Sequence, residues 1–187
     1  HRLDRDTSGL LLVAKNDAAH LALSRQLAQR SMDKHYLAVV EGRMKQECGL
    51  IDAPIARSQK DRKKMAVDAQ GRQAITRWRL LDAMTDCSLL DVKIETGRTH
   101  QIRVHMRHIH HPVAGDPIYG QRNGVKAPGL MLHAGYLGFD HPRTGEKMVF
   151  TVLPPQEWRL AARRLGLEDR VLEQWVREVQ SQTALKQ

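Results

Sequence analysis

Apolar and polar positions change period several times along this 187-residue chain, and each change predicts an element. The run GLLLVAK from Gly9 is almost continuously apolar and reads as a short buried strand, stopped where Asn16 or Asp17 is placed to cap a helix. The helix that follows carries Ala18, Leu21, Ala22 and Leu27 at helical spacing, with Arg25 and Arg30 toward its negative pole. HYLAVVEG from His35 reads as the next strand, ended by Gly42.

Residues 43–73 are turn-rich and charged, which predicts hairpins and short strands. AITRWRLLD then alternates, with Thr76, Trp78 and Leu80 on one face, and CSLLDVKIE does likewise with Leu90, Val92 and Ile94. Two successive alternating strands predict an antiparallel pair with one wet side. In TGRTHQIRVHMRHIHH, Thr99 is placed to cap a helix reaching about His110. Its stripe Ile102, Met106 and Ile109 points inward, and His100, Arg103, Arg107, His110 and His111 form a cationic face. HPVAGDPIYG reads as an ordered loop, LMLHAGYLGF and MVFTV as strands joined by the turn DHPRTGEK. After Pro154 two helices are predicted, the second with Leu172, Trp175, Val176 and Val179 as a stripe packing back on the domain.

The length and the 41% hydrophobic and 27% charged fractions suit one globular domain, and no apolar run approaches the ~20 residues of a membrane span. A net charge of +9 favours a polyanionic partner. The stretch after residue 155 is nearly balanced, so the excess lies in the first 155 residues. It concentrates in RSQKDRKK, which is either a solvated hairpin tip or a binding loop, and in the stretch Gly97–His111, which has no acid. Cys48 and Cys87 show no motif spacing and read as reduced thiols of a cytosolic protein.

The histidines near His105, His108, His110 and His111 raise a metal hypothesis, but no Asp, Glu or Cys stands among them at ligand spacing, and Arg103 and Arg107 would repel a divalent ion. Ser8, His133 and Asp116 compose a triad on paper, without a GxSxG elbow to support it. DTSG matches neither phosphate-cradling glycine pattern. On chemistry alone, Asp4 between Arg2 and Arg5 reads as a turn or cap residue.

HRLDRDTSGLLLVAK, KHYLAVVEG, ETGRTHQIRVHM with HPVAGDPIYG, and LMLHA followed by HPRTGEKMVF resemble, in order and spacing, the motifs of RluA-type pseudouridine synthases. The likeness runs from His1 to about Leu153. It implies an α+β fold with a largely antiparallel sheet crossed by a cleft, flanking helices, and RNA as substrate. Ribosomal RNA of the large subunit is expected before transfer RNA. By the same resemblance, Asp4 is the catalytic aspartate, Arg103 its partner, Tyr36 the ring that stacks on the target uracil, Arg2 the arginine that enters the RNA stack, and Leu132 a pocket wall. Arg98, Arg107, Arg62, Lys63 and Lys64 are then candidate contacts to the RNA backbone.

The chemistry agrees with those assignments. Conversion of uridine to pseudouridine breaks C1′–N1 and joins C1′ to C5 without redox change, so neither cofactor nor metal is expected. A bidentate guanidinium holds a carboxylate ionised, depressing an Asp pKa by ~1–3 units. An aromatic face holds the uracil while leaving its polar edges free to turn. Attack of Asp4 on C1′, attack on C6, and proton abstraction through a glycal all stay open. Base extrusion costs a few kcal/mol, which phosphate contacts offset.

Such proteins carry strands, and often an S4-type domain, ahead of HRLD, so the chain reads as a piece of a longer protein. The expected division is a catalytic domain over 1–155 and a helical extension over 156–187 that packs on it. A monomeric, cytoplasmic enzyme is expected. A non-catalytic RNA-binding module and a His-dependent metal hydrolase are the competing readings.

Overall fold

The computed structural model describes residues 1–184; the last three residues of the helical extension expected over 156–187 lie outside the described residues. Seven strands form one sheet in the spatial order β1 (Ser8–Gly9), β8 (Leu132–Asp140), β2 (Asp33–Glu41), β7 (Cys87–Ile94), β6 (Ile75–Ala83), β3 (Cys48–Asp52), with β9 (Lys147–Thr151) also on β8. All pairs are antiparallel except β1 with β8. A hairpin of β4 (Ile55–Arg57) and β5 (Met65–Val67) stands apart. The architecture is the mixed, largely antiparallel α+β fold expected.

Register decides what each face carries. Tyr36, Val92 and Trp78 lie opposite one another on β2, β7 and β6, and Leu37, Asp91 and Arg79 on the other face. Helix α2 (Gln101–His108) covers the Tyr36 face, where His105 Nδ1 accepts from the Thr76 hydroxyl at 2.8 Å and its Nε2 donates to the Ala53 carbonyl at 2.9 Å. Helix α4 (Asp169–Ala184) covers the opposite face, tied by Arg79 to Glu178 at 2.7 Å. Leu172, Trp175 and Val179 of α4 are buried, as are Trp158, Ala161 and Ala162 of α3 (Gln156–Arg164). Trp175 packs so closely on Gly135 that a β-carbon there would come within 2.6 Å of the ring.

Four local expectations are corrected. The run after Gly9 is not a buried strand: only Ser8–Gly9 pairs, Leu10, Leu12 and Ala14 turn inward, and Leu11 and Val13 are exposed. The same edge of β8 is taken over from Tyr136 by β9, which leaves the run no ladder to join. Helix α1 (Asp17–Ala28) is capped by Asn16, which accepts from the Ala19 N–H, but Leu23 is its buried residue and Leu21 is exposed. Strand β7 has no wet side, because it lies between β2 and β6 with helices on both faces. Thr99 does not cap α2; His100 does, in a left-handed conformation (φ 56, ψ 22) without a capping side-chain bond.

Candidate active site

The loop bearing Asp4 is set by its attachment to β8. A turn closes with the Thr7 N–H on the Asp4 carbonyl, and Ser8–Gly9 then run parallel to His133–Ala134. Gly9 has φ 114, and a β-carbon would sit 2.2 Å from the Ala134 carbonyl oxygen, so only glycine allows this approach. The His133 Nε2–H donates to the Val152 carbonyl at 3.0 Å, so its Nδ1 is the acceptor for the Ser8 hydroxyl at 2.8 Å. Two members of the paper triad therefore meet, as an anchor for the loop. The third, Asp116, is held elsewhere.

Asp116 is the partner of Arg103. The Arg103 Nε and Nη2 donate to its two carboxylate oxygens at 2.7 and 2.9 Å, with Asp116 fully buried and Arg103 4% exposed. The Ile118 and Tyr119 N–H groups also donate to Asp116, and the Tyr119 ring lies 5.1 Å below the guanidinium. Burial alone would raise the Asp116 carboxyl, but Arg103 and the two amides outweigh it and hold it below the usual carboxylate range. Arg103 is likewise held above its ordinary value, against burial, by Asp116 and then Asp4. Asp4, 99 positions away in sequence, receives only Nη1, at 3.3 Å. The bidentate pair expected between Asp4 and Arg103 is thus a single, longer contact. The cationic face expected on α2 is corrected too: Arg103 is inside, and every residue from Gln101 to Met106 is buried.

Asp4, Tyr36 and Leu132 line one cavity of about 510 Å³ together with Arg2 and Arg98. Tyr36 and Leu132 are buried, and burial, then the charge of Asp4, pushes the Tyr36 hydroxyl above its ordinary value. A carboxylate beside a fixed guanidinium, facing an aromatic ring and an apolar wall, can serve as nucleophile or base toward a flat ligand seated there. Arg107 and the loop residues Arg62, Lys63 and Lys64 do not line this cavity. Arg107 donates to the Tyr119 carbonyl, the Arg62 carbonyl accepts from Arg57, and Lys64 faces Asp61 at 3.5 Å.

Three further lining residues were not among the site candidates of the sequence, although His100 stood on the expected cationic face. Lys34, buried and held by burial below its ordinary pKa, lies two positions before Tyr36, a spacing that puts both on one strand face. His100 Nδ1 bonds the Tyr119 hydroxyl at 2.8 Å, and that oxygen accepts the Met65 N–H. Burial holds the His100 imidazole below its usual range, opposed by the charge of Asp4. Gln101 bonds Thr96, Thr76, the Ile75 carbonyl and the Arg98 N–H, ordering the loop before α2; nothing local in HQIR reveals this. Among the described residues, no three His, Cys, Asp or Glu side chains converge as metal ligands, and no helix is long and apolar enough to cross a membrane.

Comparison with known proteins adds a separate line of observation. Residues 1–108 match the family model described as RNA pseudouridylate synthase. An uncharacterized RNA pseudouridine synthase, YlyB, of Bacillus subtilis is 51% identical over 157 residues, covering 84% of this chain and 52% of its own. Ribosomal large subunit pseudouridine synthase D of Zymomonas mobilis is 42% identical over 180 residues, covering 91% and 56%. The chain thus spans about half the length of these curated relatives. Human RNA Pseudouridylate Synthase Domain Containing 1 superposes with a TM-score of 0.74 at 33% identity, over 83% of this chain and 68% of that one.

Proposed function

The chain belongs to the RNA pseudouridylate synthase family, and from that premise we propose that it carries the catalytic unit of an enzyme that isomerises uridines in structured RNA to pseudouridine. Large-subunit ribosomal RNA is the proposed substrate, supported by relatives such as the Zymomonas synthase D. The observation that carries the reading is the meeting of Asp4 with Arg103 at the cavity lined by Tyr36 and Leu132.

In this reading the target nucleotide is extruded into the cavity. Tyr36 holds the uracil face and Leu132 closes the apolar side. Asp4 acts on the nucleoside as nucleophile or base, with Arg103, braced by Asp116, in contact with its carboxylate. The C1′–N1 bond breaks, C1′ bonds C5, the C5 proton leaves and N1 gains one, so atoms balance without cofactor or metal. Arg2 fills the gap left in the RNA stack, and Arg98 meets the backbone. Residues 1–155 form the catalytic domain, and α3 and α4 after it are a helical extension of a monomeric cytoplasmic protein.

The test is tritium release from transcripts labelled at C5 of uracil. Wild type is expected to release tritium and Asp4→Asn none; equal release from both would remove Asp4 from the mechanism.

A further inference from the structure

A second cavity of about 620 Å³ opens between the β4–β5 hairpin and the loop before α2. Arg2, Arg57, Arg72 and Arg98 line it, and among the described residues no carboxylate does. Arg2, Gly97, Arg98 and Thr99 belong to the walls of both this groove and the Asp4 cavity, so the two adjoin along one edge.

The arginines stand on braced supports. The backbone of Arg72 exchanges two hydrogen bonds of 2.9 Å with Ile55, and a β-carbon on Gly71 would come within 2.5 Å of the Ile55 carbonyl carbon. Arg57 Nη1 donates to the Arg62 carbonyl at 2.7 Å, and Arg98 Nε to the Gln73 carbonyl at 3.0 Å. Each guanidinium has five N–H donors, so these bonds orient the groups and leave donors for a ligand. Four cations around one cavity repel one another until an anion enters. Gly97, on the shared edge, faces open space: a β-carbon there meets nothing within 4 Å.

We propose that this groove holds the sugar–phosphate backbone of the RNA strand on one side of the target uridine, with Gly97 as the open saddle over which the strand passes into the cleft. Guanidinium forks match phosphate oxygens, and contacts of this kind give affinity and register without reading sequence. The inference rests on the proposed function.

The experiment titrates a large-subunit ribosomal RNA transcript with the chain at several salt concentrations, for wild type, Arg57→Gln, Arg72→Gln and Gly97→Glu. Arg170→Gln, on α4 across the sheet, removes the same charge elsewhere and serves as control. Each groove arginine variant is expected to weaken binding several-fold and to lower the magnitude of the log affinity against log salt slope by about 0.7. Gly97→Glu, which puts a carboxylate in the passage without a clash, is expected to weaken it at least about tenfold. Wild-type affinity and slope in all three groove variants would overturn the proposal, and so would an equal loss in Arg170→Gln, which would make the effect one of net charge. Failure of the functional reading looks different: wild type binds or does not bind, but releases no tritium.

Discussion

Arg103 grips Asp116 with two nitrogens, at 2.7 and 2.9 Å, and reaches Asp4 with one, at 3.3 Å. The guanidinium is thereby fixed by a fully buried carboxylate and presented to one that lines the cavity. The two acids are expected to respond differently when neutralised.

Asp116→Asn takes the bidentate counter-charge from a buried guanidinium, which costs about 3–5 kcal/mol. Melting temperature and tritium release should fall together. Asp4→Asn, at a side chain 17% exposed with one long contact, should melt close to wild type and lose only release. Thermal unfolding by circular dichroism separates the two; an Asp116→Asn protein as stable as wild type would refute the brace.

Arg103→Lys keeps the charge and removes the fork. A single ammonium cannot reproduce both bonds to Asp116 and the reach to Asp4. Turnover is expected to drop about 100-fold, the cost of an ångström-scale displacement in an active site. Single-turnover rates at saturating RNA measure it, and a near-normal rate would show that charge alone suffices.

Gly9→Ala forces a β-carbon into the Ala134 carbonyl at a backbone angle alanine avoids. At least about 2 kcal/mol of stability should be lost through strain and displacement of the loop. Urea unfolding measures this, and release should fall with it because Asp4 rides on that loop. A neutral effect would mean that the β1–β8 contact is dispensable.

Stability should also depend on pH in the histidine range. Burial lowers the pKa of His105 and His133, each opposed by a bond to a backbone carbonyl. The unfolded chain, with histidine near 6.5, binds these protons first as pH falls, so stability is full above about 6.5 and declines below it, by up to ~1.4 kcal/mol per pH unit for each histidine. Urea unfolding at pH 7.5 and 5.5 reads the decline. Replacing His133 by Gln should make the decline shallower and leave the His105 part; a profile unchanged by that substitution would place the linkage elsewhere.

Much of the fold was legible because its signals are local. The strands β6 and β7 with their antiparallel pairing, the Asn16 cap, and the Leu172–Trp175–Val179 stripe each follow from signals within one segment and appear as expected, although β7 is buried on both faces. Misreadings arose where a neighbour distant in sequence intervened. GLLLVAK lost its ladder to β9, and Leu21 lost its place in the core to Leu23. The arginines of α2 show the same limit: spacing put Arg103 and Arg107 on one face, but only Arg103 finds a buried carboxylate.

By itself the sequence determined the family, the alternation of strands and helices, and the residues Asp4, Tyr36 and Leu132 that line one cavity, with Arg103 in contact with Asp4. Tertiary structure alone decided that Asp116 braces Arg103, that His133 anchors the loop, that Lys34, His100 and Gln101 belong to the cleft's surroundings, and that four arginines converge beside Gly97. Motifs and periodicity report a residue's own segment. A hydrogen bond or a charged groove depends on which segments the sheet register brings together, and that register is set by the packing of the whole chain.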